Sequence, residues 1–158
     1  QSARAAVKAA STFARIDPST VDVIFTIDTG ADLISGRSAG SSMAIAVAAA
    51  LLNDTIPDNI VMTGDISEDG TIGMVQAIPK KAEAAKAANA TIFLVPTGGS
   101  SDVVRFNRQK ECGEVKDYDY CRVLYVAEKG KLGDEVGIRV VEVKDIADAA
   151  QYYFGYKE

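Results

Sequence analysis

The stretch that decides the fold runs from Gly36 to Leu52 and reads GRSAGSSMAIAVAAALL. It opens with small residues and then becomes almost wholly apolar, which predicts a helix over Ser38–Leu52 that is buried on most sides. A helix N-terminus presents free N–H groups and the positive end of the helix dipole, which suits an oxyanion or a phosphate. An ordinary Gly/Ser-rich helix cap would look the same, and the segment alone does not decide between them.

A second segment carries a lysine of interest. A helix is predicted over Pro79–Asn89, with proline in its first turn. Lys81 shares its helical face with Ala84, Ala85 and Ala88, so its side chain is expected to point toward the core. Burial and a helix N-terminus both disfavour the charged amine, which lowers its pKa and makes a neutral general base plausible. The alternative is a lysine that extends its amine to solvent.

The remaining pattern predicts a single α/β (or α+β) domain over residues 1–158. Further helices are expected over Ser2–Arg15 and Asp145–Phe154, and strands near 21–27, 60–66, 91–96, 122–127 and 138–143. Asp69-Gly70 predicts a hairpin turn, after which Thr71–Val75 pairs back. The polar segment Gly98–Tyr120 is expected to be irregular, with a helix near residues 101–110.

Composition excludes several kinds of chemistry. The 158 residues contain no histidine, so Ser-His-Asp triads, Cys-His pairs and Cys/His zinc sites cannot form within this chain. Acid–base work must use Lys, Asp, Glu, Tyr or Cys. The net charge is −5, and no basic patch of the kind that binds nucleic acid is evident. We therefore predict no metal site, no cofactor and no nucleic-acid partner.

Three motifs, in this order, resemble the proteolytic domain of Lon (S16) peptidases. The Lon motif Gly-Pro-Ser-Ala-Gly corresponds to Gly36–Gly40, and Met-Thr-Gly-Glu corresponds to Met62–Asp65. The Lon helix with its lysine pair corresponds to the segment beginning at Ala77, and the spacing from Ser38 to Lys81 is that expected for the Lon serine and lysine. The resemblance covers Ser2 to about Pro96 well and the tail loosely.

The resemblance implies a fold like the second domain of ribosomal protein S5 and a serine endopeptidase that cleaves unfolded or flexible polypeptides with a Ser-Lys dyad. Ser38 would be the nucleophile, Lys81 the general base and Thr63 the group that orients the lysine. Loop residues would surround the oxyanion, and an edge strand would bind substrate: Arg37, Ala39 and Gly40 for the loop, and Thr26, Ile27 and Asp28 for the strand.

The chain departs from the Lon pattern at several points. Arg37 replaces a proline or an acid, Asp65 replaces glutamate, and Pro79 stands where Lon has its first lysine. Residues 98–120 are expected to be an insertion, and the first strands of such a domain are expected to precede Gln1. These residues contain no ATPase module, so energy coupling would need an ATPase elsewhere. Assembly into a ring, usually a hexamer, is implied by the resemblance.

Three questions stay open at this level. Cys112 and Cys121 could form a disulfide or remain free thiols. A disulfide would favour a membrane-associated or extracytoplasmic setting over the cytoplasm. Two alternative functions also remain: a non-catalytic Lon-like assembly module, and a galactokinase-type small-molecule kinase that would use Gly40–Ala44 as its phosphate loop.

Overall fold

The computed structural model describes residues 2–26, 36–101, 103–115 and 118–155. The helices are α1 (Ser2–Ala14), α2 (Gly40–Leu52), α3 (Ile78–Ala87), α4 (Leu132–Val136) and α5 (Ile146–Phe154), with a short 3₁₀ turn at Pro18–Thr20. The strands are β1 (Ile60–Met62), β2 (Asp65–Ile66), β3 (Ile72–Gly73), β4 (Ile92–Pro96), β5 (Val103–Val115), β6 (Tyr118–Gly130) and β7 (Arg139–Val143).

A parallel sheet of order β1-β4-β7 lies at the centre of the domain. Its middle strand reads Ile-Phe-Leu-Val-Pro, and this continuous apolar run is typical of a parallel strand covered on both faces. Leu94 packs into a cluster with α1, α2 and α5, whereas Phe93 and Val95 pack into a second cluster with α3 and α4. Helices therefore cover both faces, which confirms the predicted α/β class.

Alanines form the contact between α1 and α2. Five of them are almost completely buried and allow the two helix backbones to approach closely: Ala6, Ala9, Ala10, Ala44 and Ala48. Helix α2 is thereby held against the sheet, with its N-terminus beside β2. The position of α2 also fixes the small-residue turn that contains Ser38, because this turn immediately precedes the helix.

Two predicted strands differ in the structure. Residues 21–26 alternate between half-buried and exposed, with Val23 and Phe25 packed against the core, but they form no ladder within the described residues. The predicted strand over 60–66 is interrupted at Thr63-Gly64, and only its second part pairs with Ile72–Gly73 around the predicted turn at Asp69-Gly70. The interruption leaves the backbone N–H and carbonyl of Gly64 free of the sheet, and both bind the turn that precedes α2.

The segment after Gly98 was predicted wrongly as irregular with a helix. It is the first strand of a long antiparallel hairpin, β5–β6, whose register runs from Val103↔Gly130 to Val115↔Tyr118. Its two strands pack chiefly on each other, and Phe106 and Tyr125 are strongly exposed. The short helix α4 that follows was not predicted. None of the helices in the described ranges has the length and apolar composition needed to cross a bilayer.

Candidate active site

The site lies where the chain leaves the carboxyl end of β1, a common location for sites in α/β sheets. The turn that precedes α2 is fixed there by backbone hydrogen bonds. Gly64 N–H donates to the Ser38 carbonyl (3.0 Å), and Ser41 N–H donates to the Gly64 carbonyl (3.1 Å). Ser38 therefore sits at a defined position beside the β1–β2 connection, and its side chain is half-buried.

Two glycines make this close approach possible. A Cβ added at Gly64 would lie 2.6 Å from Ile72 Cγ2 and 3.0 Å from Ser41 Oγ. A Cβ added at Gly40 would lie 2.8 Å from Ile66 Cγ2. All three distances are shorter than an ordinary van der Waals contact, so only glycine lets the N-terminus of α2 dock this closely.

Thr63 connects the two candidate residues. Its N–H donates to the Leu94 carbonyl (3.1 Å), which ties it to the central strand. Its hydroxyl donates to the Ser38 carbonyl (3.2 Å) and accepts a hydrogen bond from Lys81 Nζ (3.1 Å). With only 5% of its surface exposed, Thr63 has little freedom to move. One hydroxyl thus links the lysine amine to the backbone of the serine.

Lys81 reaches Thr63 from the first turn of α3. The helix starts after Ala77, a non-glycine residue with a left-handed φ of 58°, and buries Ile78, Ala82 and Ala85. The predicted stripe was wrong at Ala84 and Ala88, which are exposed, because the buried face is rotated toward Ala82. Lys81 lies at the edge of this face and is half-buried. Burial lowers the pKa of its amine below the ordinary value of 10.5.

Lys80, the neighbouring lysine, is exposed. The two lysines therefore differ in environment although they are adjacent in sequence. Only Lys81, of these two, donates to a described residue of the site. This contrast makes Lys80 a matched control for any test of Lys81.

The Ser38 hydroxyl and the Lys81 amine, both in the described part of the chain, are not hydrogen-bonded to each other. Their connection runs through Thr63 instead. Catalytic hydrogen bonds are often long without substrate and shorten only when substrate binds. The arrangement therefore places a candidate base near a candidate nucleophile without a formed proton path.

The backbone N–H groups of the loop residues differ in whether they already donate a hydrogen bond. Gly40 N–H donates to the Arg37 carbonyl (3.0 Å), so it is not available to an oxyanion in this conformation. The N–H groups of Ser38 and Ala39 have no backbone acceptor within the described ranges. The side chain of Arg37 points to Asp65, and its Nη2 lies 2.8 Å from Oδ2. This ion pair was not predicted, although both residues had been noted as departures from the Lon pattern.

The remaining predicted positions are the substrate strand and the two cysteines. Thr26 is exposed, and Ile27 and Asp28 lie outside the described residues. Cys112 and Cys121 face each other in β5–β6, and their sulfurs are bonded. In the described part of the chain, no group of three or more Cys, Asp or Glu side chains is arranged to hold a metal ion.

Comparison with known proteins gives the class and then the family. A family model described as the Lon protease (S16) C-terminal proteolytic domain matches residues 1–112. A Lon protease from Clostridioides difficile (strain 630) is 38% identical over 91 residues, which is 56% of this chain and 12% of that protein. The class is therefore that of the serine peptidases, which are hydrolases. Within it, the chain belongs to the family of Lon (S16) C-terminal proteolytic domains.

The family model matches only the first part of the chain. The match ends at Cys112, inside β5, so the rest of the hairpin, α4, β7 and α5 lie beyond it. The three motifs that carry the candidate site all lie within it. The chain spans only a small part of the length of the relative it resembles.

Proposed function

We propose that this domain is a serine endopeptidase that uses Ser38 as nucleophile and Lys81 as general base, without a metal or cofactor. The observation that carries the proposal is the position of Thr63, whose hydroxyl binds both the Lys81 amine and the Ser38 carbonyl. A lysine held this way, with its pKa lowered by burial, is better suited than an exposed lysine to accept a proton at pH values below 10.5.

The reaction would proceed in two halves. Neutral Lys81 takes the proton of the Ser38 hydroxyl while the oxygen attacks the scissile carbonyl, and the N–H groups of Ser38 and Ala39 stabilise the oxyanion. The protonated lysine then passes its proton to the leaving amine, which leaves an acyl-enzyme. In the second half, Lys81 deprotonates water, the hydroxide attacks the ester, and Ser38 is released with its proton restored.

The substrate proposed is an unfolded or flexible polypeptide. An extended chain could add to the edge of the segment near Thr26, Ile27 and Asp28 through main-chain hydrogen bonds, which tolerate many side chains. A ring of copies, a hexamer for example, and an ATPase module elsewhere would be consistent with membership of the Lon family. Both belong to this proposal.

The alternatives fit the site less well. A kinase would need the N–H groups at the start of α2 for phosphate, but those of Gly40 and Ser41 are already donated to protein carbonyls. An assembly module would not require a half-buried lysine directed at the serine turn, since such a lysine is costly to desolvate. A peptidase, in contrast, requires a lysine directed at the serine turn.

The test compares four proteins on a permanently unfolded polypeptide substrate in the absence of ATP. Wild type should cleave it, whereas Ser38→Ala and Lys81→Ala should lose at least about a thousandfold in kcat. Lys80→Ala is the control and should keep wild-type activity, because that side chain is exposed. Circular dichroism should show all four folded. Cleavage that survives in Ser38→Ala would sink the proposal.

A further inference from the structure

A salt bridge next to the nucleophile joins two residues that both depart from the Lon pattern. Nη2 of Arg37 lies 2.8 Å from Oδ2 of Asp65. The other carboxylate oxygen of Asp65 accepts the N–H of Ile66 at 2.9 Å. The Asp65 side chain is 20% exposed and that of Arg37 is 65% exposed. The carboxylate is therefore fixed from inside the protein, and the guanidinium reaches it from the surface.

The pair lies between the Ser38 turn and the segment that follows β1. Gly64 N–H and the Thr63 hydroxyl both bind a single atom of the turn, the carbonyl oxygen of Ser38. On its C-terminal side the turn is held again, because Ser41 N–H donates to the Gly64 carbonyl. Arg37 precedes Ser38 directly, and its partner lies two residues beyond Thr63, so the ion pair joins the same two segments on the N-terminal side of the turn. The pair therefore restrains the side of the turn that precedes Ser38, on which none of these hydrogen bonds acts.

We propose that the Arg37–Asp65 pair is a positioning device that fixes the orientation of the Ser38 turn relative to Thr63 and Lys81. The consequence for catalysis rests on the proposed peptidase function, but the positioning itself does not. A partly exposed ion pair contributes little to stability. A displacement of about 1 Å at a reacting group, in contrast, is able to lower a rate by as much as about 100-fold. The pair should therefore affect turnover more than folding.

A second ion pair on the surface provides a matched control. Lys8 Nζ contacts Glu68, both side chains are about as exposed as that of Arg37, and neither touches the Ser38 turn. Glu68→Gln removes a surface ion pair of the same kind that includes no residue of the Ser38 turn. An effect that is seen in the Arg37 and Asp65 variants but not in Glu68→Gln is therefore not a general effect of losing a surface ion pair.

The first measurement is amide hydrogen exchange in Arg37→Gln, Asp65→Asn and Glu68→Gln. Asparagine at position 65 keeps an acceptor for Ile66 N–H, while it removes the charge and the second acceptor oxygen that Arg37 binds. If the pair restrains the turn, the amides of Gly64 and Ser41 should exchange several-fold faster in the first two variants. The Thr63 amide, which donates into the sheet at Leu94, should not change. Unchanged exchange at Gly64 and Ser41 would overturn the proposal, whether or not the chain cleaves peptides.

The second measurement is the kinetics of the same variants and of the double variant. Each single change should lower kcat about tenfold with little change in KM. The double variant should lose no more than a single one, because both remove the same contact. Arg37→Lys, which keeps the charge, should recover part of the rate, and Glu68→Gln should match wild type. Losses that multiply in the double variant would contradict a shared role. A wild type that cleaves nothing would refute the peptidase function and leave the exchange result to decide on positioning.

Discussion

At the scale of single residues, the Thr63 hydroxyl serves two partners at once. Thr63→Val keeps the shape of the side chain and removes the acceptor for Lys81 and the donor to the Ser38 carbonyl. We expect kcat to fall about 10- to 100-fold, since the base loses its orientation. Unfolding should become easier by about 1 kcal/mol, since the Ser38 carbonyl loses one of its two donors and keeps Gly64 N–H. Steady-state kinetics and chemical denaturation measure the two effects.

The control for that change is Thr63→Ser, which retains the hydroxyl. It should recover most of the lost turnover although it removes a methyl group from a buried position. Full activity in Thr63→Val would mean that Lys81 is held by something other than this hydrogen bond.

The lowered pKa of Lys81 predicts the direction of two pH effects. Because the neutral amine is the active form, kcat/KM should rise with pH and reach half its maximum below pH 10.5, the ordinary pKa of a lysine. The unfolded chain, whose lysine keeps the higher pKa, binds more protons between the two pKa values. Stability should therefore increase with pH across that window and lose this contribution as the pH falls through it.

Lys81→Met is the variant that checks the stability effect. It has no amine to titrate, so the increase in melting temperature between the two pKa values should be smaller than in wild type. An identical pH dependence in both proteins would show that burial of Lys81 has no measurable linkage to folding. A half-maximum of kcat/KM at or above pH 10.5 would contradict the lowered pKa.

Individual residues were partly predictable. Ser38, Thr63 and Lys81 were selected from motif order and spacing, and the structure brings Thr63 into contact with the other two. The Arg37–Asp65 pair was not selected, because a sequence shows each departure separately and does not show that two segments meet. Gly64 was not singled out as a site of close approach for the same reason.

At the scale of elements, the contact between α2 and β2 controls where the serine turn sits. Gly40→Ala would bring a Cβ within 2.8 Å of Ile66 Cγ2 and 3.0 Å of the Ile66 amide nitrogen. We expect a loss of about 1–3 kcal/mol in stability, because backbone and a branched side chain must shift. Peptidase activity should fall as well, since that shift moves Ser38. Denaturation and kinetics on the same samples test both.

Gly73→Ala provides the comparison within the same small sheet. Its added Cβ would meet the Cβ of Asp65 at 3.5 Å, an ordinary contact. Stability should stay within about 0.5 kcal/mol of wild type. Equal losses in the two variants would mean that close packing of α2 against Ile66 is not the cause.

Elements that pack against the core were easier to predict than those that do not. Helices α1 and α5 were predicted close to their observed limits because their apolar residues recur at the helical period, and strand β4 because it is a short, continuous apolar run. The hairpin β5–β6 was missed over its first strand, since charged residues such as Arg108, Lys110 and Glu111 hide any apolar face. Both of its faces meet solvent, so no core dictates a pattern.

At the scale of the whole molecule, stability depends on how closely α1 and α2 approach. Ala10→Leu would place three additional carbon atoms at a position with no exposed surface in the α1–α2 contact. We expect a loss of about 1–3 kcal/mol or more from overpacking. Ala46→Leu, on an exposed position of α2, should change stability by no more than about 0.5 kcal/mol. Urea denaturation of both variants provides the comparison, and equal losses would contradict it.

The α/β (or α+β) class was predicted from the order of strands and helices along the chain, whereas the parallel sheet with helices on both faces was not. The order of the strands did not follow from it, because a sequence does not show that β4 lies between β1 and β7. The two-sided burial of β4 was the one hint, and it identifies a central strand without naming its neighbours.

The hairpin β5–β6 also changes the dimensions of the molecule. Thirteen residues per strand, as in β5, extend about 43 Å at the usual rise of a strand. That length exceeds the radius expected for a compact domain of this size. A lever of about 43 Å converts a rotation of about 10° at its base into a displacement of about 7 Å at its tip. Small changes in angle near Val103 and Gly130 would therefore decide which distant surface the disulfide-bonded end is able to reach.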